Sequence, residues 1–232
     1  MATGSVPTVS AIRYVRAPRP LHFPEEELVP ESKRHLVLRT FLFQLLQYAL
    51  GPGHSVGSDQ FVYWNAASPR RCLAPDVFVK RGVPDSSFGS WKTWERGGPP
   101  DLAIEITSPS DSETIDWEEK LARYYECGVA ELVRFDPEER PGSRLRAWDR
   151  VKEDLVERIV ADERTPCLTL EGTLWGVTSI LTEPIGLRLV DPDGRVIPSA
   201  LEAEAAAREA EKAAFEARIA DLESQLRRKD GR

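Results

Sequence analysis

Three residues carry types and spacing that could do chemistry: Asp76 in APDVFVK, Glu105 in PPDLAIEITSPS and Lys120 in DWEEKLARYY. Two carboxylates can hold a divalent cation through hard oxygen ligands, and an ammonium group beside them can offset charge building on a phosphate under attack. The trio points to hydrolysis of a phosphodiester. A plainer reading stands beside it, because acids at strand ends commonly face water and a lysine on an amphipathic helix is commonly solvated. The sequence around each residue is what favours chemistry.

Val77-Phe78-Val79 starts directly after Asp76, and Leu102-Ala103-Ile104 runs directly into Glu105. Short apolar runs bounded by Pro, Gly and Ser signal strands of a central sheet, so both carboxylates fall at strand ends. Pro109 then stops the second strand. Ser110 with Glu113 makes a capping-box pattern and predicts a helix to about Cys127, with Gly128 as its left-handed terminator. Trp117, Leu121, Tyr124 and Tyr125 form the expected buried stripe, and Lys120 sits at its border, where its stem can reach along the sheet.

The stretch from Pro75 to Asp136, through APDVFV, PPDLAIEITSPS and EEKLARYYECGVAELVRFDP, resembles the Uma-two family within the PD-(D/E)XK nuclease superfamily. VPESKRH at 29–35, opening a helix, is similar to that family's N-terminal pattern, and the resemblance spans roughly residues 20 to 190. It implies an α/β fold, a restriction-endonuclease-like mixed sheet flanked by helices, with metal-dependent endonuclease activity on DNA. Asp76 and Glu105 would bind Mg²⁺, or Mn²⁺ in its place, assisted by the Ile106 carbonyl, and Lys120 would orient the attacking water. One position departs from the superfamily. Its motif places lysine two residues after the acid, where this chain has Thr107, and Lys120 on the following helix takes that place.

Two further residues are auxiliary candidates. Glu31 and His35 flank the start of the first helix and could lie beside the metal pocket, although a lone histidine is more commonly a packed or surface residue. Thr107 also leaves open a catalytically inactive binding module that recruits partners through its C-terminal helix. A hydrolase of RNA or a nucleotide using the same carboxylates is a further alternative.

At 232 residues the chain fits one domain plus an appendage, and 41% apolar with 30% charged residues describes a globular protein with a charged surface. The apolar stretch Leu36 to Leu50 is broken by Arg39, Gln44 and Gln47 and is too short to span a bilayer. No secretory signal is visible at the N-terminus, so a cytoplasmic location is the expectation. Cys72, Cys127 and Cys167 are widely spaced and read as reduced thiols rather than zinc ligands. The formal charge of -7 argues against a large static DNA footprint, so DNA binding should be weak until a metal ion supplies positive charge at the site.

Residues 1–20 read as a loose arm, 21–198 as the nuclease-like domain and 199–232 as a helical extension. A helix is expected from about Ser32 to Ala49, largely buried. Gln60 to Trp64 and Val77 to Lys80 are expected as neighbouring strands of a meander. The connection from Arg81 to Pro100 carries Trp91 and Trp94, which could stack on bases but more commonly pin such a loop to the body. A strand at Glu131–Phe135 should lie beside that of Glu105, followed by a hairpin of Leu145–Trp148 and Leu155–Val160. Leu187–Val190 and Arg195–Ile197 should bracket a DPDG turn. In the extension, Ser199 and Glu202 form another capping box, and Phe215, Ile219, Leu222 and Leu226 follow a short heptad seam. That seam favours a homodimer through residues 199–228.

Overall fold

The computed structural model describes residues 21–22, 32–107, 116–180 and 182–230. The expected N-terminal arm, Glu31 and the Ser110–Glu113 capping box lie outside them, as does the side chain of Leu226. In chain order the first half comprises α1 (Lys33–Leu50), β1 (Ser55–Gly57), β2 (Val62–Tyr63), β3 (Cys72–Leu73), β4 (Val77–Lys80), β5 (Trp91–Lys92) and β6 (Leu102–Ile106). The second half comprises α2 (Trp117–Cys127), β7 (Glu131–Phe135), β8 (Leu145–Val151), β9 (Asp154–Glu157), β10 (Arg164–Pro166), β11 (Leu174–Ile180), β12 (Glu183–Val190) and α3 (Ala200–Asp230).

A six-stranded mixed sheet in the order β1-β4-β6-β7-β8-β9 forms the centre. All its pairs are antiparallel except β6 with β7, which are joined through α2 as a parallel pair requires. Because successive strand residues point to opposite faces, Leu102, Ile104 and Ile106 pack with Val77, Val79, Val133 and Phe135 against α1. Phe78, Ala103 and Leu132 face the other way, toward Tyr124 and Cys127 of α2. Both faces are covered, which is why these strands read as continuous apolar runs rather than alternating ones.

Ser32 caps α1, its Oγ accepting from His35 N at 3.1 Å. One face of the helix, Leu38, Phe41, Leu42, Leu45 and Leu46, is buried, and each such side chain contributes roughly 1.5–3 kcal/mol of burial free energy. Leu36 and Tyr48 are exposed, so the helix is less enveloped than its apolar content suggests. The sheet β10-β11-β12 closes the same side through Trp175, Leu187 and Leu189.

The expected meander is corrected. β2 pairs with β3 and, in parallel, with β5, forming a separate three-stranded sheet, while the neighbour of β4 is β1. The reason is steric: Gly57 is in register with Phe78, and a Cβ there would stand 2.2 Å from the buried Phe78 ring, so the close pairing needs glycine. A three-residue strand containing glycine has little propensity signal of its own. Tyr125 is also corrected, being exposed beside Arg150 rather than part of the buried stripe; Cys127 is buried instead.

Trp91 pins the long connection as expected, donating from Nε1 to Gly98 O at 2.9 Å and packing edge-on to Phe78 and Phe88, whereas Trp94 is exposed. The DPDG turn closes with Val190 bridging Val196. At α3 the capping box forms, with Ser199 N donating to Glu202 Oε2 at 2.8 Å and Arg188 of β12 clamping both Glu202 oxygens at 2.9 and 2.6 Å. Phe215, Ile219 and Leu222 lie exposed further along. Among the described residues, no helix is long and apolar enough to cross a membrane.

Candidate active site

Val77 is in register with Ile104, so one further step along the antiparallel pair sets Asp76 opposite Glu105. Directly opposed residues share a face, and here it is the face covered by α2. Both carboxylates are nearly buried, at 8% and 4% exposure. Burying two acids side by side is costly unless each finds donors.

Glu105 finds them on α2. Lys120 Nζ donates to Glu105 Oε2 at 2.6 Å, and the Tyr124 hydroxyl donates to Oε1. Residues four apart share one helix face, so a single turn of α2 serves both oxygens of one carboxylate. Burial, reinforced by the negative charge of Asp76, nevertheless pushes the Glu105 carboxyl up to about 7, against the downward pull of Lys120 and Tyr124. Burial and the neighbouring Glu105 also push the Tyr124 phenol well above its ordinary range, so Tyr124 remains a donor.

Asp76 finds its donors elsewhere. Ile106 N donates to its Oδ2 at 2.6 Å, stitching the ends of β4 and β6 together. His35 Nε2 lies 2.6 Å from its Oδ1, and with the carboxylate ionised the ring nitrogen is the donor. Ser58 Oγ donates to the Asp76 carbonyl at 2.8 Å.

The structure therefore brings together Asp76, Glu105, Lys120, Ile106 and His35. It also brings in Tyr124, which the periodicity assigns only to packing; its four-residue spacing from Lys120 was the available signal. The Ile106 contact seen is through its N–H rather than its carbonyl. Thr107 accepts from Arg134 Nε at 2.9 Å through Oγ1, so the position that lacks the motif lysine orients an arginine of β7.

Among the described residues, no three His, Cys, Asp or Glu side chains converge as a metal cage. The donor set nonetheless fits a hard, largely hydrated cation. Two opposed carboxylates, one of them reluctant to ionise without added positive charge, suit Mg²⁺, which commonly takes one or two carboxylates and keeps several waters.

A comparison with curated proteins finds no match. Among solved structures, the chain is similar to one described as a "putative nuclease belonging to DUF820" from Anabaena variabilis ATCC 29413, with 15% identity and a TM-score of 0.44 over 60% of this chain and 75% of that one. A likeness of that degree carries no argument about the site. The family model Uma2, described as "Putative restriction endonuclease", matches residues 22–178. That match takes in β4, β6 and α2 with all the site residues above, and the chain belongs to the Uma2 family.

Proposed function

We propose that this protein is a metal-dependent endonuclease that hydrolyses phosphodiester bonds of DNA, with Asp76, Glu105 and Lys120 as its catalytic residues. The observation that carries the reading is the opposition of two buried carboxylates at the ends of β4 and β6 with Lys120 hydrogen-bonded to one of them. Asp76 and Glu105, with a main-chain oxygen at Ile106, would hold Mg²⁺ or Mn²⁺. When bound, such an ion polarises the phosphate and lowers the pKa of a coordinated water.

The chain's own residues do the rest. Lys120, 2.6 Å from Glu105 and only partly exposed, is placed to orient the water or to meet charge accumulating on the phosphate oxygens. Tyr124 holds the second oxygen of Glu105, and His35 with Ile106 N holds Asp76, so neither carboxylate can swing away from the pocket. The exposed stripe of α3 is proposed to pair with a second copy of the chain, which would present two sites to the two strands of a duplex.

Nicking of supercoiled plasmid by the wild type and by Asp76→Ala, each with Mg²⁺ and with chelator, tests the reading. Metal-dependent nicking that the substitution abolishes supports it. Equal nicking by both proteins would overturn the assignment.

A further inference from the structure

Beside the carboxylates, on the same sheet face, lies a cluster of arginines that the proposed hydrolysis leaves unused. Arg134 of β7 is in register with Glu105 on one side and with Arg146 of β8 on the other. Two arginines directly opposed in a sheet repel, and such a pair is destabilising in the absence of an anion. With Arg144, they line a cleft of about 220 Å³ whose remaining wall is Asp136, Glu139 and Ser143.

The two opposed guanidinium groups are mounted rather than loose. Arg134 lies 4.6 Å from the centroid of the Trp117 ring, Arg146 lies 4.9 Å from that of Trp148, and the two indoles contact each other tilted by 45° with centroids 5.3 Å apart. Stacking and the Nε bond to Thr107 fix the plane of Arg134. The three arginines differ in how far acids already satisfy them. Arg146 is bidentate to Glu157 at 2.7 and 2.9 Å. Arg144 donates to the Glu139 carbonyl at 2.9 Å and stands 3.8 Å from Glu163. Arg134 has Asp136 at 3.8 Å, beyond hydrogen-bond reach, so among the described residues no carboxylate hydrogen-bonds its terminal nitrogens, as is also true of Arg144. A guanidinium whose plane is fixed offers a fork that matches phosphate oxygens.

Resting on the nuclease reading above, we propose that Arg134 grips a DNA backbone phosphate adjacent to the one under attack, and that its cleft with Arg144 and Arg146 carries the strand away from Glu105. Anisotropy of a labelled DNA duplex, titrated with the full-length protein at low ionic strength in EDTA, reads this contact without cleavage. Arg134→Gln raises Kd roughly tenfold and lowers the slope of log K against log salt by about one, the signature of one lost phosphate contact. Arg134→Lys restores the slope but only part of the affinity, because a point charge lacks the fork. Arg146→Gln, on the exposed rim, shifts both readouts in the same direction, and it decides the matter if Arg134→Gln does not fold. Arg195→Gln, at the exposed DPDG turn, leaves both unchanged.

Wild-type affinity and slope in all the Arg134 and Arg146 variants overturn the inference, as does a wild type that binds no duplex. A wild type that binds through Arg134 yet never cuts with Mg²⁺ keeps this site and removes the hydrolytic reading. A wild type that cuts, with Arg134→Gln binding and cutting equally well, removes this site and keeps the hydrolytic reading.

Discussion

Lys120 Nζ stands 2.6 Å from Glu105 Oε2, one helical turn from the Tyr124 hydroxyl that holds the other oxygen. That contact ties the only acidic residue of β6 to the helix that follows it. Lys120→Ala should lower the cleavage rate about a hundredfold while largely retaining metal affinity, by analogy with loss of one preorganised stabilising donor. Single-turnover kinetics beside a Mn²⁺ titration separate the two effects. Normal cleavage would return Lys120 to the status of a solvated helix residue.

Removing the carboxylates should have unequal structural consequences. Glu105→Gln relieves like-charge repulsion and keeps the shape, so the metal-free protein should melt at or above the wild-type temperature while losing cleavage. Asp76→Ala leaves Ile106 N buried without its acceptor, at a cost of about 1–3 kcal/mol, so its melting temperature should fall. Asp76→Asn, which keeps an acceptor, should melt close to wild type yet remain inactive. A fully active Glu105→Gln or Asp76→Asn would sink the assignment of the site.

Glu105 also sets a pH dependence. Its folded-state pKa, pushed up to about 7, lies above the 4.5 of an exposed glutamate, so the folded protein holds this proton more tightly than the unfolded chain. The resulting stability is fully present below about 4.5 and is lost as pH rises through about 7. A metal ion held by Glu105 would have to displace the same proton, so apparent Mg²⁺ affinity should fall about tenfold per pH unit below 7. Denaturation of metal-free protein between pH 5 and 8 should show a slope that Glu105→Gln removes; an identical slope in both would refute the shift.

At the opposite end of β7 the buried Glu131 accepts from Leu168 N, Thr169 N, the Thr169 hydroxyl and Trp175 Nε1, and faces Arg158. It joins the central sheet to the β10-β11-β12 sheet. Glu131→Ala should cost about 3–5 kcal/mol in chemical denaturation, since removing one member of a buried ionic network strands the others. A change below about 1 kcal/mol, the worth of an exposed pair, would show the network to be solvated.

The exposed Phe215, Ile219 and Leu222 predict self-association through α3. Glu202 is clamped by Arg188, so a cut just after Pro198 would strand a buried arginine, and truncation after Ala207 is the cleaner test. Light scattering should show a dimeric full-length protein and a monomeric truncation, with plasmid products shifting from double-strand breaks toward nicks. An unchanged mass would place any dimer contact on the globular surface.

The chain itself declared many of its strands and helices where an apolar run or cap lay within one segment, although the run of β11, LWGVTSI, went unread. VFV and LAIEI, the Gly128 terminator and the Ser199–Glu202 box are local features, and local sterics and hydrogen bonding decide them. The strand-end placement of Asp76 and Glu105 followed from the same runs. Pairing was another matter. That β4 lies against β1 rather than β2 depends on Phe78 finding space over Gly57, a contact between residues far apart in sequence whose fit no propensity encodes. The bond from His35 to Asp76 and the mounting of Arg134 between Thr107 and Trp117 depend likewise on α1, α2 and the ends of β4, β6 and β7 meeting at one end of the central sheet. Side-chain chemistry is written residue by residue, whereas the register that brings those side chains within hydrogen-bond distance is set by packing across the whole core.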